Sequence, residues 1–297
     1  MALAVAMGIG RFAYTPILPA MQRAARLDIG QAGLLASANY AGLLAGALLT
    51  TAVARGTARD RLLGVCLVAV VLTTGLMAAT TAVVAWGLVR FLFGLAAAGV
   101  FVLSSGLLLD LLRVRRAASL SGWLYSGVGL GIATSGAVVH VVDGALGWRG
   151  DWLALCLLAA ALIALSWRWL PVTPPMRAEA ARSTPMRGRG GRVALALLLT
   201  AYLLEGTGYI VTGTFLVSIV DGMPGLGDAG PSAWIVVGLA AAPSPVVWAW
   251  LTTRVGYAPA LALAYVAQAC GYPRTRWAAP CPARSPRRAA GPRPGRG

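Results

Sequence analysis

Two charged side chains fall inside long apolar stretches of the sequence, where a charge is costly. Arg11 lies near the middle of the first stretch, and Glu205 lies well inside a later one. A charge at the centre of a membrane helix costs about 2.5–3.5 kcal/mol on insertion scales, so it is retained where it faces a cavity or a partner. Arg11 could bind an anionic solute or a carboxylate, and Glu205 could bind and release a proton. Alternatively, the two residues could form a fixed ion pair that orients two helices.

Further polar side chains lie within the apolar stretches and could contact the same solute. Arg90 begins one stretch and could belong to a proton or substrate relay, although an arginine near a helix end can also extend to the membrane surface. Tyrosine and asparagine side chains could hydrogen-bond either to a solute in a cavity or to a neighbouring helix. The candidates for contact with a substrate or a coupling ion are Arg11, Tyr14, Asn39, Tyr40, Arg90, Tyr125, Glu205 and Tyr209.

The residue types needed for metal or enzyme chemistry are sparse and scattered. The spacing of the four cysteines matches no metal or redox motif, and the single histidine, His140, has no histidine or cysteine near it in the sequence. Enzymes that work between helices usually need grouped His, Asp, Glu or Cys side chains. We therefore expect no catalytic residues, no metal site and no cofactor.

The composition indicates a protein that lies in a bilayer. The chain of 297 residues is 58% hydrophobic and 11% charged, whereas soluble domains carry about 25% charged residues. Several apolar stretches run for roughly 20 residues, the length that spans the hydrocarbon core. Each must satisfy its own backbone polar groups there, which predicts an all-α polytopic membrane protein. The net charge of +16 comes from arginines in short loops rather than on one soluble face, so we expect no nucleic-acid partner.

Nine stretches and their flanking arginines predict the membrane topology. The stretches cover residues 1–21, 31–54, 62–83, 86–112, 118–142, 151–170, 193–220 and 232–253, with a shorter one at 257–271. Arginines are concentrated after the second, fourth, sixth and eighth stretches, and few lie in the other loops. Because positive loops stay in the cytoplasm, the N-terminus is predicted to be cytoplasmic and the protein to lie in the inner (plasma) membrane.

The order of the stretches predicts two groups of helices. Residues 1–170 would form a six-helix N-terminal bundle, and residues 171–192, rich in Pro, Arg, Gly and Ser, would form a cytoplasmic linker. Residues 193–271 would then form part of a second bundle. Six helices, a central loop and further helices are the layout of a two-halved carrier.

Short motifs carry a resemblance to a known family. The loop after the second stretch reads Gly56-x-x-x-Asp60-Arg61, the fourth contains Arg90-x-x-x-Gly94, and the first runs from Gly8-Ile9-Gly10-Arg11 to Pro19. Together with Ala38-Asn39-Tyr40-Ala41-Gly42, these residues resemble the YbfB/YjiJ-like group of the major facilitator superfamily over residues 1–271. The resemblance implies a twelve-helix secondary transporter, with Gly56, Asp60 and Arg61 in a conformational loop motif. We expect a monomer in the lipid bilayer that carries a small organic solute, with a proton as the coupling ion.

The end of the sequence differs from the rest. Residues 273–297 are mostly Pro, Arg, Ala and Gly, and the last apolar stretch is short for a membrane span. A physiological disordered tail is one explanation. We favour a shifted reading frame or a truncated gene, which would leave a complete N-terminal bundle, an incomplete C-terminal bundle and about eight or nine membrane helices.

Two other classes of protein remain as alternatives. One is a receptor or scaffold of seven or eight helices without transport, and the other is an intramembrane enzyme. A structural repeat between the first six stretches and the later ones would favour the carrier, whereas a single ring of seven helices would favour a receptor.

We predict that this chain alone does not transport, because a carrier needs both halves to rock around a central site. The measurement is solute uptake into vesicles reconstituted with the purified chain, and measurable uptake would contradict the prediction. Sequencing the locus beyond codon 271 tests its premise, since a frame encoding further apolar spans should continue there.

Overall fold

A computed structural model describes residues 1–54, 58–114, 120–167, 189–226 and 229–271, and every regular element in these ranges is helical. The chain divides into two compact units, Met1–Trp250 and Leu251–Gly297. The described part of the second unit holds the end of one helix and one further helix. The predicted all-α class is therefore confirmed.

The helices follow the apolar stretches closely. A π-helical segment covers Ala4–Arg11. The α-helices are α1 (Tyr14–Ala25), α2 (Ile29–Val53), α3 (Ala58–Leu76), α4 (Val83–Val114), α5 (Ser121–Trp167), α6 (Arg189–Asp221), α7 (Gly230–Ala241), α8 (Ser244–Val255) and α9 (Tyr257–Gly271).

The outward faces of these helices are apolar, as a bilayer requires. On α2, for example, Leu34, Leu44 and Leu48 are each more than 60% exposed. Five segments of the described chain are long and apolar enough to cross a membrane: Ile29–Val53, Val83–Leu109, Ser121–Trp167, Leu195–Asp221 and Gly230–Val255. An exposed surface of this composition would be unstable in water, so the chain is a multi-pass membrane protein.

The hydrogen-bond pattern changes within the first predicted span, although Phe12 and Ala13 keep right-handed helical backbone angles. The π-helical segment ends at Arg11, Phe12 and Ala13 form a turn, and α1 then begins. The Phe12 N–H donates to the Met7 carbonyl at 3.3 Å, which is the wider π-helical spacing. Pro16 explains the change, because proline has no N–H and its ring crowds the carbonyl one turn earlier.

The spans predicted at 118–142 and 151–170 are two helical segments of α5 that meet at a kink at Gly147, as the two separate apolar stretches predict. The φ of 61° at Gly147 is one that residues with side chains rarely adopt. The span predicted at 232–253 is divided into α7 and α8 at Ala242-Pro243, again because proline ends the hydrogen-bond ladder. The third span ends at Leu76 rather than at residue 83.

The closest pairing of helices is between α2 and α4, and it depends on glycine. A methyl group added at Gly94 of α4 would collide with the backbone oxygen of Asn39 on α2. Small residues at such crossings let two backbones approach within the membrane. This contact sets the position of Asn39 against α4, and it therefore also positions the candidate site.

We predict that Gly94→Ala destabilises the folded chain by about 1–3 kcal/mol, because the added methyl group cannot fit without moving a backbone. The measurement is thermal unfolding of the purified chain in detergent, followed by tryptophan fluorescence. The control is Gly33→Ala on α2, where an added methyl group meets nothing within 4 Å. Equal unfolding temperatures for the two variants would contradict the prediction.

Candidate functional site

The change of hydrogen-bond spacing in the first span leaves the Arg11 carbonyl oxygen to a partner on another helix. Arg11 is the last residue of the π-helical segment, and its carbonyl oxygen accepts a hydrogen bond from Nη2 of Arg90 at 3.4 Å. π-Helical turns are frequent at functional sites.

Arg90 is buried inside the helix bundle. Its side chain is 3% exposed, and its guanidinium lies over the rings of Tyr14 at 4.7 Å and Phe93 at 5.6 Å. Its backbone oxygen accepts a hydrogen bond from Nδ2 of Asn39 at 3.1 Å. Arg90 therefore does not extend to the membrane surface, which was one of the two alternatives that the sequence left open.

Arg11 also packs on aromatic faces rather than on a carboxylate. Its guanidinium lies 4.9 Å from the centre of the Tyr40 ring and 5.0 Å from that of Phe12. Nε of Arg11 and Nε of Arg90 are buried and have no hydrogen-bond partner among the described residues. Such stacking is worth about 2 kcal/mol or more when the cation is desolvated.

The ion pair between Arg11 and Glu205 that the sequence suggested is absent from the described structure. Glu205 lies on α6, which meets α1 further along its length, where Thr15 donates from Oγ1 to the Gly213 oxygen at 3.0 Å. Gly213 is eight residues beyond Glu205, or about 12 Å along a helix. Glu205 is half-buried, and it precedes Tyr209 by one turn on the same face of α6.

These residues enclose a narrow cleft. The first helix contributes Arg11, Phe12, Tyr14 and Thr15, α2 and α4 contribute Ala36, Asn39, Tyr40 and Arg90, and α6 contributes Tyr209, Gly213 and Thr214. The cleft has room for about one water molecule. In this conformation, the cleft is closed to an organic solute.

The structure brings together six of the eight predicted contact residues. Arg11, Tyr14, Asn39, Tyr40, Arg90 and Tyr209 line the cleft, whereas Tyr125 and Glu205 do not. The Tyr125 hydroxyl instead donates to Oγ of Ser105 at 3.3 Å. Whether a tyrosine within a span contacts a neighbouring helix or lines a cavity depends on the rotation of its own helix. The residue type alone does not determine this.

The loop motif lies apart from this cleft. Asp60 is in the first turn of α3, where a negative charge is favourable, and with Arg61 and Trp167 it borders a separate groove. Gly56 falls outside the described residues.

Sequence reasoning missed several cleft residues, namely Phe12, Thr15, Ala36, Gly213 and Thr214. For Phe12 and Thr15 a signal was present, because Pro16 predicts a helix disruption one turn earlier. Ala36, Gly213 and Thr214 carry no such signal, since small residues are common on every face of a membrane helix.

Comparison with known proteins identifies the family of this chain. The family model described as "Uncharacterised MFS-type transporter YbfB" matches residues 3–276. A chloramphenicol resistance protein of Streptomyces lividans is 31% identical over 256 residues, which is 79% of this chain and 59% of that protein. The chain thus spans less than two thirds of the length of this relative. With nearly its whole described length matched by the family model, the chain belongs to the YbfB family of MFS-type transporters, within the major facilitator superfamily.

Proposed function

We propose that the cleft is the solute site of a secondary active transporter that moves a small organic solute by alternating access. The observation that supports this most directly is that Arg11 and Arg90 line one cleft inside the helix bundle, where the Arg90 side chain donates a hydrogen bond to the Arg11 carbonyl oxygen. Charged residues inside a membrane protein that face a cavity usually belong to the transport pathway.

The position of the cleft supports alternating access. It lies between helices from the first six predicted spans and α6, which follows the predicted linker, and the two groups are joined there by the hydrogen bond from Thr15 to Gly213. The cleft is too small for an organic solute, so binding requires these helices to separate. Rocking of one bundle against the other around a fixed site would open it.

We also propose proton coupling through Glu205. This carboxyl group lies on the apolar helix α6, one turn from Tyr209, which lines the cleft. It forms no hydrogen bond or ion pair with the described residues, so it is available to a proton rather than fixed in a structural pair. Its half-buried position would let it exchange that proton during opening.

The setting we propose is a monomer in the inner membrane with a cytoplasmic N-terminus, whose partners are the solute, protons and the lipid bilayer. Arginines concentrated in alternate loops support this orientation. A transporter is favoured over an enzyme, because the described lining of the cleft offers arginines, aromatic rings and small residues rather than a paired acid and base.

The similarity to a chloramphenicol resistance protein supports a second possibility for the solute, a small neutral amide exported from the cell. Aromatic rings of Phe12, Tyr40 and Tyr209 in the cleft would contact such a molecule. Chloramphenicol therefore belongs in any panel of candidate solutes.

We predict that the purified chain binds at least one member of a panel of small organic anions, cations and neutral amides that includes chloramphenicol. Binding at a hundredfold excess over Kd should stabilise the fold by about 2.7 kcal/mol. The measurement is the thermal unfolding midpoint of the chain in lipid nanodiscs at increasing solute concentration.

The matched variants for this experiment place the same extra volume inside and outside the cleft. Ala36→Leu fills the cleft and should weaken binding, whereas Ala41→Leu adds the same side chain at an exposed position of α2 and should not. If no member of the panel binds to the unaltered chain, the proposed function is wrong. If both variants bind like the unaltered chain, the solute lies elsewhere.

We further predict that Glu205→Gln abolishes the pH dependence of solute affinity. Coupling to one proton gives a change in Kd of up to about tenfold per pH unit, and a glutamine cannot titrate. The measurement is Kd across a pH series for the bound panel member. Asp28→Asn is the control, because this exposed helix cap lies outside the span and asparagine also caps helices well. An unchanged slope in Glu205→Gln would refute coupling through this residue.

A further inference from the structure

The charge of the cleft is unbalanced among the residues that the structure describes. Its lining includes two arginines, Arg11 and Arg90, and contains neither aspartate nor glutamate. The sequence left open whether Arg11 faces a solute or is neutralised by Glu205. The described structure removes the second alternative, since Glu205 is not part of the lining and forms no ion pair with Arg11.

Both guanidinium groups still have hydrogen-bonding capacity to offer. Nε of each arginine is buried and unpartnered, and the Arg90 side chain is more than nine-tenths buried. A buried donor without a partner costs free energy, and the cost is larger for a charged group. A ligand that accepts these hydrogen bonds would recover that cost.

Aromatic rings surround both guanidinium groups. The guanidinium carbon of Arg90 lies over the rings of Tyr14 and Phe93, and that of Arg11 over the rings of Tyr40 and Phe12. The N–H groups lie at the edges of the plane, and one of them, Nη2 of Arg90, is used by the Arg11 carbonyl. Guanidinium edges match carboxylate oxygens in a two-point contact.

The remaining lining indicates what the rest of the ligand should be. Phe12, Tyr40 and Tyr209 offer ring surface, while Thr214 and Asn39 offer isolated polar groups. With no carboxylate in the described lining, the cleft has no counterpart for a positive charge on the ligand. The fit is to an anion with an apolar or aromatic body.

We propose that Arg11 and Arg90 together bind the carboxylate group of a small organic anion whose apolar body lies against the aromatic rings of the cleft. This inference rests on the proposed function, since it names the class of solute that the transporter carries. It excludes neutral amides and organic cations as the preferred solutes.

The test compares carboxylic acids with their own amides, which have nearly the same shape and no charge. Butyrate, benzoate and 3-phenylpropionate are each paired with the corresponding amide at matched pH and ionic strength. The full chain in lipid nanodiscs is followed by thermal unfolding. We expect at least one acid to bind at least tenfold more tightly than its amide.

Arginine variants then test whether Arg11 and Arg90 cause the preference for acids over amides. Arg11→Gln and Arg90→Gln should each reduce the preference for acid over amide to less than threefold, whereas Arg26→Gln, at an exposed arginine, should leave it intact. Arg90→Lys keeps the charge without the planar fork and should give an intermediate preference. If a glutamine variant fails to fold, the proposal is tested by comparing acid and amide binding in the unaltered chain and in Arg90→Lys.

Several outcomes would overturn the inference, and they differ from failure of the proposed function. Equal binding of acids and amides would overturn it, and so would a preference that survives both glutamine variants. Tight binding of chloramphenicol or of a cation, with no acid bound, would overturn the inference while the transporter proposal stands. Stabilisation by sodium chloride alone would assign the arginines to an inorganic anion. If nothing in either panel binds, both proposals fail.

Discussion

The constraint that governs this protein is the placement of two arginines in an apolar helix bundle, Arg90 buried and Arg11 half-buried, with no carboxylate in the described lining of their cleft. Desolvating an ion costs several kcal/mol even after the surroundings relax. The chain offsets part of that cost with aromatic faces and with the carbonyl oxygen of Arg11. These contacts stabilise the charges but leave edge N–H groups without partners. The site can therefore form without a ligand, and its unpartnered N–H groups can still donate hydrogen bonds to one.

The carbonyl that contacts Arg90 is available because the hydrogen-bond spacing of the first helix changes at Phe12. In a regular α-helix the oxygen of Arg11 would accept from the N–H four residues later, which is that of Thr15. Instead, the Thr15 N–H donates to the Phe12 oxygen at 3.3 Å, and Pro16 has no N–H to give. One proline thus changes the hydrogen bonding of the backbone, and this in turn creates the acceptor for a buried charge.

The close contact between α2 and α4 decides which side chains share the site. Gly94 lets the α4 backbone approach Asn39, and the Asn39 amide then hydrogen-bonds to the backbone oxygen of Arg90. A larger residue at the crossing would separate the two helices and remove this bond. By contrast, α6 contacts α1 at the cleft through the hydrogen bond from Thr15 to the Gly213 oxygen. Such a bond contributes about 1 kcal/mol.

The sequence by itself determined that the chain is a helical membrane protein and which family it resembles, because the length and polarity of apolar stretches are imposed directly by the bilayer. It also identified Arg11 and Asn39 as candidates, since polar residues inside spans are expensive wherever they point. The tertiary structure decided that Arg90 is buried, that Tyr125 serves packing elsewhere, and that Glu205 and Arg11 do not pair. Those outcomes depend on the rotation and axial offset of each helix. In helices that are apolar on every side, the sequence pattern does not single out an inward face, so only the close contacts between helices fix it.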